Sequence, residues 1–314
     1  MSALICGSIA YDNIMVFQGR FADQILPDQI HVLNVSFLVP ALRREFGGCA
    51  ANIAYNLALL GDDGYPMATV GRDFGPYREW LRRQGVPLDY VRELGDAWTA
   101  VGYITTDLAD NQITAFHPGA MEQAHLNAVP GDAGIRWGMV SPDGRQAMID
   151  HAEQFAAAGI PFVFDPGQGL PMFGARELTR FIELADVLAV NDYEGKMLAQ
   201  RTGLSEADIA ARVDAYIVTR GAAGSVVLTG GERFEIPAAA PEAVVDPTGC
   251  GDAYRAGILH GLLHGADWPT TGRIGSLMGA IKVASPGTQN HSFDKESFSE
   301  RFVASFGYDP ALGS

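Results

Sequence analysis

At 314 residues, with 47% apolar and 19% charged side chains, the chain is long enough for one large domain and has the make-up of an ordinary globular protein. A formal charge of −15 excludes a surface that grips nucleic acid, since phosphate backbones demand clustered Lys and Arg. No apolar run approaches the roughly 18–20 residues that span a bilayer. The first residues, "MSALICGSIAYDNIMV", have no basic stretch ahead of their apolar part and read as a buried strand rather than a signal peptide. Three scattered cysteines, Cys6, Cys49 and Cys250, give neither a disulfide framework nor a CxxC metal site, which favours the cytoplasm. Any bound nucleotide must be held locally, by backbone N–H groups and a metal.

In chain order, the strand "ALICGSIAY" comes first. A segment rich in β-formers follows, including "HVLNVSFLVPALRREF", and does not fit the later alternation. In "EFGGCAANIAYNLALLG", Gly47 and Gly48 permit close backbone approach, and Asn52 in the first turn of the next helix can turn its amide to a polar ligand; a strand bend before a packed helix accounts for it equally well. "GYPMATVG" and "YREWLRRQG" continue as strand and helix. "TAVGYITTDLADNQITAFHPG" then gives two alternating arms around Ala109-Asp110-Asn111, a hairpin pattern.

The second half alternates strictly. Short apolar runs at Phe162–Phe164, Val187–Val190 and Ile217–Thr219 suit strands buried on both faces, separated by helix-patterned stretches. Such alternation predicts right-handed βαβ units, hence an α/β fold: a three-layer αβα sandwich with a mostly parallel central sheet. The expected organisation is one domain over 1–314, with a discontinuous β lid from about 14–46 and 99–118.

Three motifs in this half can carry chemistry. In "VNDYEGK", Asn191 and Glu194 share one face of a starting helix, where they either cap it or hold Mg²⁺ through waters. "VTRGAAGSVVL" has Gly221 and Gly224 between two strands and matches neither a dinucleotide loop nor a Walker A loop; a β-turn explains it as well as a nucleotide edge. In "DPTGCGDAYRAG", Gly249, Cys250 and Gly251 open a helix, so that unpaired N–H groups and the helix dipole favour an anion. Asp252 at that helix start can also be a plain cap.

Together these residues resemble the ribokinase-like (PfkB) family of carbohydrate and nucleoside kinases over nearly the whole chain. "GSIAYDNI", "GGCAANIAYNLALLG", "VGRDFGPYREWLRRQGVPLDYV", "NDYE", "TRGAAG" and "DPTGCGDAYRAG" are similar to the family's successive motifs, with Cys250 in place of a usual alanine. The resemblance implies that Asp252 is the general base and that the amides of Gly249, Cys250 and Gly251 hold the transferring γ-phosphoryl group. It implies Mg²⁺ and ATP at Asn191 and Glu194, with Thr219, Gly221 and Gly224 along the nucleotide. Lys282 and Gln289, in "AIKVASPGTQN", would flank adenine. A monovalent cation such as K⁺ is left open, as is the choice between a monomer and a lid-mediated homodimer.

Asp12 resembles the family's acceptor for two vicinal sugar hydroxyls, a task that suits the two oxygens of a carboxylate. Phe116 and Phe37 fall on the two insertions, and an aromatic there can stack on a base. "DNQITAFHPGAM", "FDPGQG" and "PGTQNHSF" look most like bacterial and archaeal adenosine or nucleoside kinases, which implies nucleoside contacts from Ser8, Asp12, Gly48, Asn52, Phe116 and Gln168. The expected reaction is phosphorylation of the 5′-hydroxyl of a ribonucleoside, adenosine foremost. A sugar kinase acting on ribose, fructose or a sugar phosphate is the alternative, ahead of a non-catalytic sensor.

Overall fold

The computed structural model describes residues 2–25, 34–109, 111–131 and 134–310. Its strands are β1 (Ser2–Cys6), β2 (Ala10–Val16), β3 (Leu42–Gly47), β4 (Asp63–Gly71), β5 (Val91–Leu94), β6 (Ala100–Thr106), β7 (Gln112–His117), β8 (Trp137–Val140), β9 (Phe162–Phe164), β10 (Val187–Asn191), β11 (Ala215–Thr219), β12 (Ser225–Thr229) and β13 (Glu232–Ile236). The helices are α1 (Phe21–Gln24), α2 (Cys49–Leu60), α3 (Gly75–Arg83), α4 (Arg145–Ala158), α5 (Ala175–Leu184), α6 (Asp192–Thr202), α7 (Glu206–Ala210), α8 (Cys250–His264), α9 (Trp268–Val283) and α10 (Lys295–Phe306).

Nine strands form one sheet in the order β13-β12-β11-β10-β9-β8-β1-β4-β5. Neighbours from β5 to β11 pair in parallel, and β12 alone is reversed, pairing antiparallel with both β11 and β13. Alternate side chains of each strand enter different cores. Ala3, Ile5, Val187, Ala189 and Ile217 pack with residues of α2, α3 and α8. Leu4, Cys6, Leu188, Val190 and Tyr216 pack with α4, α5, α6 and α7. This period of two, apolar on both faces, makes the three layers that the sequence predicts.

A separate four-stranded sheet, β3-β2-β6-β7, stands apart from the first. It begins at Ala10 rather than near residue 14, because the chain leaves the large sheet after Cys6 and pairs again from Ala10 onward. Residues 26–33 of the first insertion and Asp110 of the expected hairpin turn lie outside the described residues. The arms of that hairpin pair antiparallel as β6 and β7. Phe37 packs against Phe17 and Phe21, with ring centroids 4.9 Å apart in each case.

Helix α8 runs through the middle of the fold. Ile258 and Leu259 are wholly buried, and each such side chain contributes about 1.5–3 kcal/mol relative to exposure. Arg255, in its second turn, reaches Asp165 just after β9 and Ala189 of β10, which sets the amino end of α8 near the carboxyl ends of these strands, where open α/β sheets carry their sites. Among the described residues no helix is long and apolar enough to cross a membrane.

Candidate active site

The loop before α8 is pinned from below. Asp246 Oδ1 accepts from Thr248 N and Oδ2 from Gly287 N, both at 2.9 Å. The Lys282 ammonium donates to Asp246 O at 2.7 Å and to Ser285 O at 3.1 Å. Gly249 then caps α8 with φ +79, and a Cβ there would lie 3.1 Å from Thr288 Cγ2, so the turn needs glycine on both counts. The amide of Cys250 donates to Pro247 O at 3.2 Å, whereas Gly249 and Gly251 make no such backbone bond among the described residues. A Cβ on Gly251 would meet nothing within 4 Å, so this residue faces open space. Burial raises the Cys250 thiol, so the sulfur stays protonated and chemically quiet.

Asp252 stands in the first turn of α8. Burial pushes its carboxyl up to about 7; the charges of Asp165 and Asp12 add to the rise, while the Asn52 hydrogen bond and Arg255 oppose it. A carboxyl with this value, if it serves as the expected general base, titrates in the working range. kcat/KM should therefore climb about tenfold per unit below pH 7, as the carboxylate form is populated, and level off above it. A pH–rate profile flat from 5 to 8 would contradict the assignment.

Asn52, expected at the substrate, is also the partner that orients Asp252. Its Nδ2 donates to Asp252 Oδ2 at 2.8 Å, and its Oδ1 accepts from Gln289 Nε2 at 2.9 Å. Gln289 in turn donates to Tyr77 OH at 2.6 Å and accepts from Trp80 Nε1 at 2.9 Å. Gln289 is 2% exposed and Lys282 0%, so both expected adenine-flanking side chains lie inside the fold: one is bonded to Asn52, the other to the loop before α8. Asp165 and Arg255 were not foreseen. Arg255 Nη2 donates to Asp165 Oδ1 at 3.1 Å and to Ala189 O at 3.3 Å, with both side chains buried. Arg255 lies one helical turn beyond Asp252 and opposes the rise in the carboxyls of Asp252 and Glu194.

The small sheet supplies the opposite wall. Glu45, Asp12, Gly102 and Phe116 form one row across β3, β2, β6 and β7 through the pairs Asp12–Glu45, Asp12–Gly102 and Gly102–Phe116. Residues paired directly across strands point to the same face. Asp12 and Phe116 therefore share a face two strands apart, about 9–10 Å. Between them Gly102 makes room for the Asp12 carboxylate, since a Cβ there would lie 3.0 Å from Asp12 Oδ1. Burial, and then the charge of Glu45, raise the Asp12 carboxyl. Phe116 is 53% exposed, so its ring is not lid core. Gly48, φ +93, lies against the Ser8–Ala10 backbone, where a Cβ would come within 2.6 Å of Ser8 O. Ser8 Oγ accepts from Cys49 N at 3.1 Å and so caps α2. Gln168 is exposed on the turn after β9.

Asn191 closes β10 in register with Thr219 of β11, and the Gly221–Gly224 turn follows directly. Asn191 and Glu194 form a capping box: Glu194 N donates to Asn191 Oδ1 and Asn191 N to Glu194 Oε2, each at 2.8 Å. The two readings of this motif are compatible, since the box uses only one oxygen of the carboxylate. Burial and the charge of Asp165 raise the Glu194 carboxyl, which shows negative charges crowded in one place. An oxygen donor set with excess negative charge fits Mg²⁺, which keeps waters and binds phosphates alongside one or two carboxylates.

The profile of the pfkB family carbohydrate kinases matches residues 11–295. A nucleoside kinase of Methanothermobacter thermautotrophicus is 32% identical over 310 residues, covering 96% of this chain and 98% of its own. The structure of Burkholderia thailandensis nucleoside kinase in complex with inosine superposes with a TM-score of 0.89 at 52% identity, covering 98% of this chain and 99% of that one. The same enzyme in complex with ADP-inosine gives 0.87 at 54% identity, covering 99% and 98%.

Proposed function

The chain belongs to the pfkB family of carbohydrate kinases and is a phosphotransferase with a hydroxyl acceptor, and from that premise we propose that it moves the γ-phosphoryl group of ATP to the 5′-hydroxyl of a ribonucleoside, adenosine foremost. The observation that carries the choice of nucleoside is the row Asp12–Gly102–Phe116. A carboxylate suited to the 2′,3′-diol and an exposed ring stand on one face at the reach of ribose plus base, with no side chain on Gly102 between them.

In this reading the small sheet acts as a lid of the single domain. Asp12 fixes the ribose, with Gly48 backing the chain at Ser8, while Phe116 stacks on the base and Gln168 reaches its edge. Asp252, oriented by Asn52, takes the 5′-proton as the oxygen attacks. The amides of Gly249 and Gly251 face the transferring group; that of Cys250 joins them by releasing Pro247 O. Asn191 and Glu194 would hold Mg²⁺ through waters, beside Thr219, Gly221 and Gly224; when bound, the ion neutralises charge on the β- and γ-phosphates. Catalysis then consists of positioning and charge, because phosphoryl transfer asks for little covalent help. The unpaired thiols of Cys6, Cys49 and Cys250 suit the reducing cytoplasm proposed as its setting.

The test is a panel of adenosine, inosine, other nucleosides, ribose and fructose, assayed for ADP formation with Mg-ATP. Adenosine should have the highest kcat/KM and ribose a far lower one; ribose as the best acceptor would overturn the reading. Phe116→Ala should raise KM for adenosine about 5–150-fold, since stacking on an aromatic is worth roughly 1–3 kcal/mol per base. Weak turnover of ribose should be unchanged. Equal losses for nucleoside and sugar would mean that the ring does not touch the base.

A further inference from the structure

At the far end of α8 from Asp252, three metal-ligating side chains converge that the phosphoryl-transfer site does not use. His260 and His264 lie one turn apart on the same helix face, and Asp62 follows the Gly61 cap that ends α2. His260 Nδ1 is 2.5 Å from Asp62 Oδ2, and His264 Nε2 is 3.0 Å from Oδ1 and 3.3 Å from Oδ2. One donor atom from each residue falls within 4.8 Å of the others. We propose that Asp62, His260 and His264 form a binding site for a divalent cation of the Zn²⁺ class, which ties the α2–β4 turn to the carboxyl end of α8.

Four observations support this. Two imidazole nitrogens and one carboxylate are the donor set that borderline divalent ions prefer, whereas Mg²⁺ and Ca²⁺ prefer oxygen alone. Tetrahedral ligands at 2.0–2.1 Å from Zn²⁺ stand about 3.3 Å from each other. The His264–Asp62 separations already match that edge, and the His260–Asp62 pair need open by only about 0.8 Å. Helix α8 ends at His264, where its last carbonyls present the negative end of the dipole to a cation. Exposure is graded: the Asp62 and His260 side chains are 2% and 7% accessible but His264 is 18% accessible, which leaves an entry path and room for a water as fourth ligand.

His260 and His264 lie eight and twelve residues past Asp252, about 12–18 Å along the helix axis. A bound ion there is a clamp and not part of the chemistry. The test uses the full chain stripped with chelator, free of nucleotide and in excess Mg²⁺, titrated with Co²⁺. Wild type should take up one Co²⁺ per chain with the intense visible absorption of four-coordinate cobalt, and Zn²⁺ should abolish that absorption. His264→Ala, at the partly exposed position, and Asp62→Asn should each weaken binding at least about tenfold. His264→Ala should keep wild-type turnover, which shows that it is folded. A weak octahedral Co²⁺ spectrum, or equal Co²⁺ affinity in wild type and His264→Ala, would overturn the proposal and leave the cluster as a hydrogen-bonded pair of histidines on a carboxylate.

Discussion

Asp252→Asn should lower kcat by about 10²–10⁴-fold, the usual contribution of a positioned base, with adenosine and ATP affinities changed only a few-fold. The substitution is close to isosteric, and the new amide oxygen keeps the hydrogen bond from Asn52 Nδ2. What is lost is the proton acceptor and one negative charge. The rising limb of the pH profile near 7 should vanish with it, because that limb belongs to the Asp252 carboxyl. Asn52→Ala provides the companion measurement. It removes a bond that favours the ionised form, so the limb should move to higher pH while a smaller share of kcat is lost. If Asp252→Asn turned over near the wild-type rate, the base would have to be another group.

Arg255→Met should cost about 3–5 kcal/mol of stability, seen as a lower urea midpoint, since breaking a buried ion pair leaves its partner charged and unmatched. The same change should shift the pH–rate limb upward. Arg255 lowers the Asp252 and Glu194 carboxyls, so its removal leaves both more readily protonated. Arg255→Lys should recover much of the pH position but less of the stability, because an ammonium keeps the charge on a differently shaped side chain that need not bring its nitrogen to where Nη2 now donates to Asp165 and Ala189 O. Lower stability with an unshifted limb would make Arg255 structural only.

Much of the fold was legible in the sequence because its signals are local. Apolar runs such as Val187–Val190 are short and unbroken, which is what strands covered on both faces require, and both cores share them. The glycines of the α8 loop and the β6–β7 arms also announce themselves within a dozen residues. Arg255 did not, although it lies inside "DPTGCGDAYRAG", because Asp165 and Ala189 are 90 and 66 residues away in the chain. Nothing near Arg255 marks it as buried. Lys282 ends α9 and Gln289 follows in the next loop, and their partners Asp246 and Asn52 lie 36 and 237 residues away in the chain, so nothing local announces that both are drawn inside. Asn191 and Glu194 show a different limit: the cap takes Asn191 Oδ1 and Glu194 Oε2 and leaves the second carboxylate oxygen out of the box, so spacing alone could not choose between cap and metal ligand.

The identity of the phosphorylated product tests the central claim most directly. With adenosine and Mg-ATP, ³¹P NMR should show ADP and a nucleoside monophosphate forming in equal amounts, the new phosphorus coupled to the two 5′ protons. Phosphate on a 2′- or 3′-oxygen, or ATP consumed with ribose while adenosine is left untouched, would contradict the account.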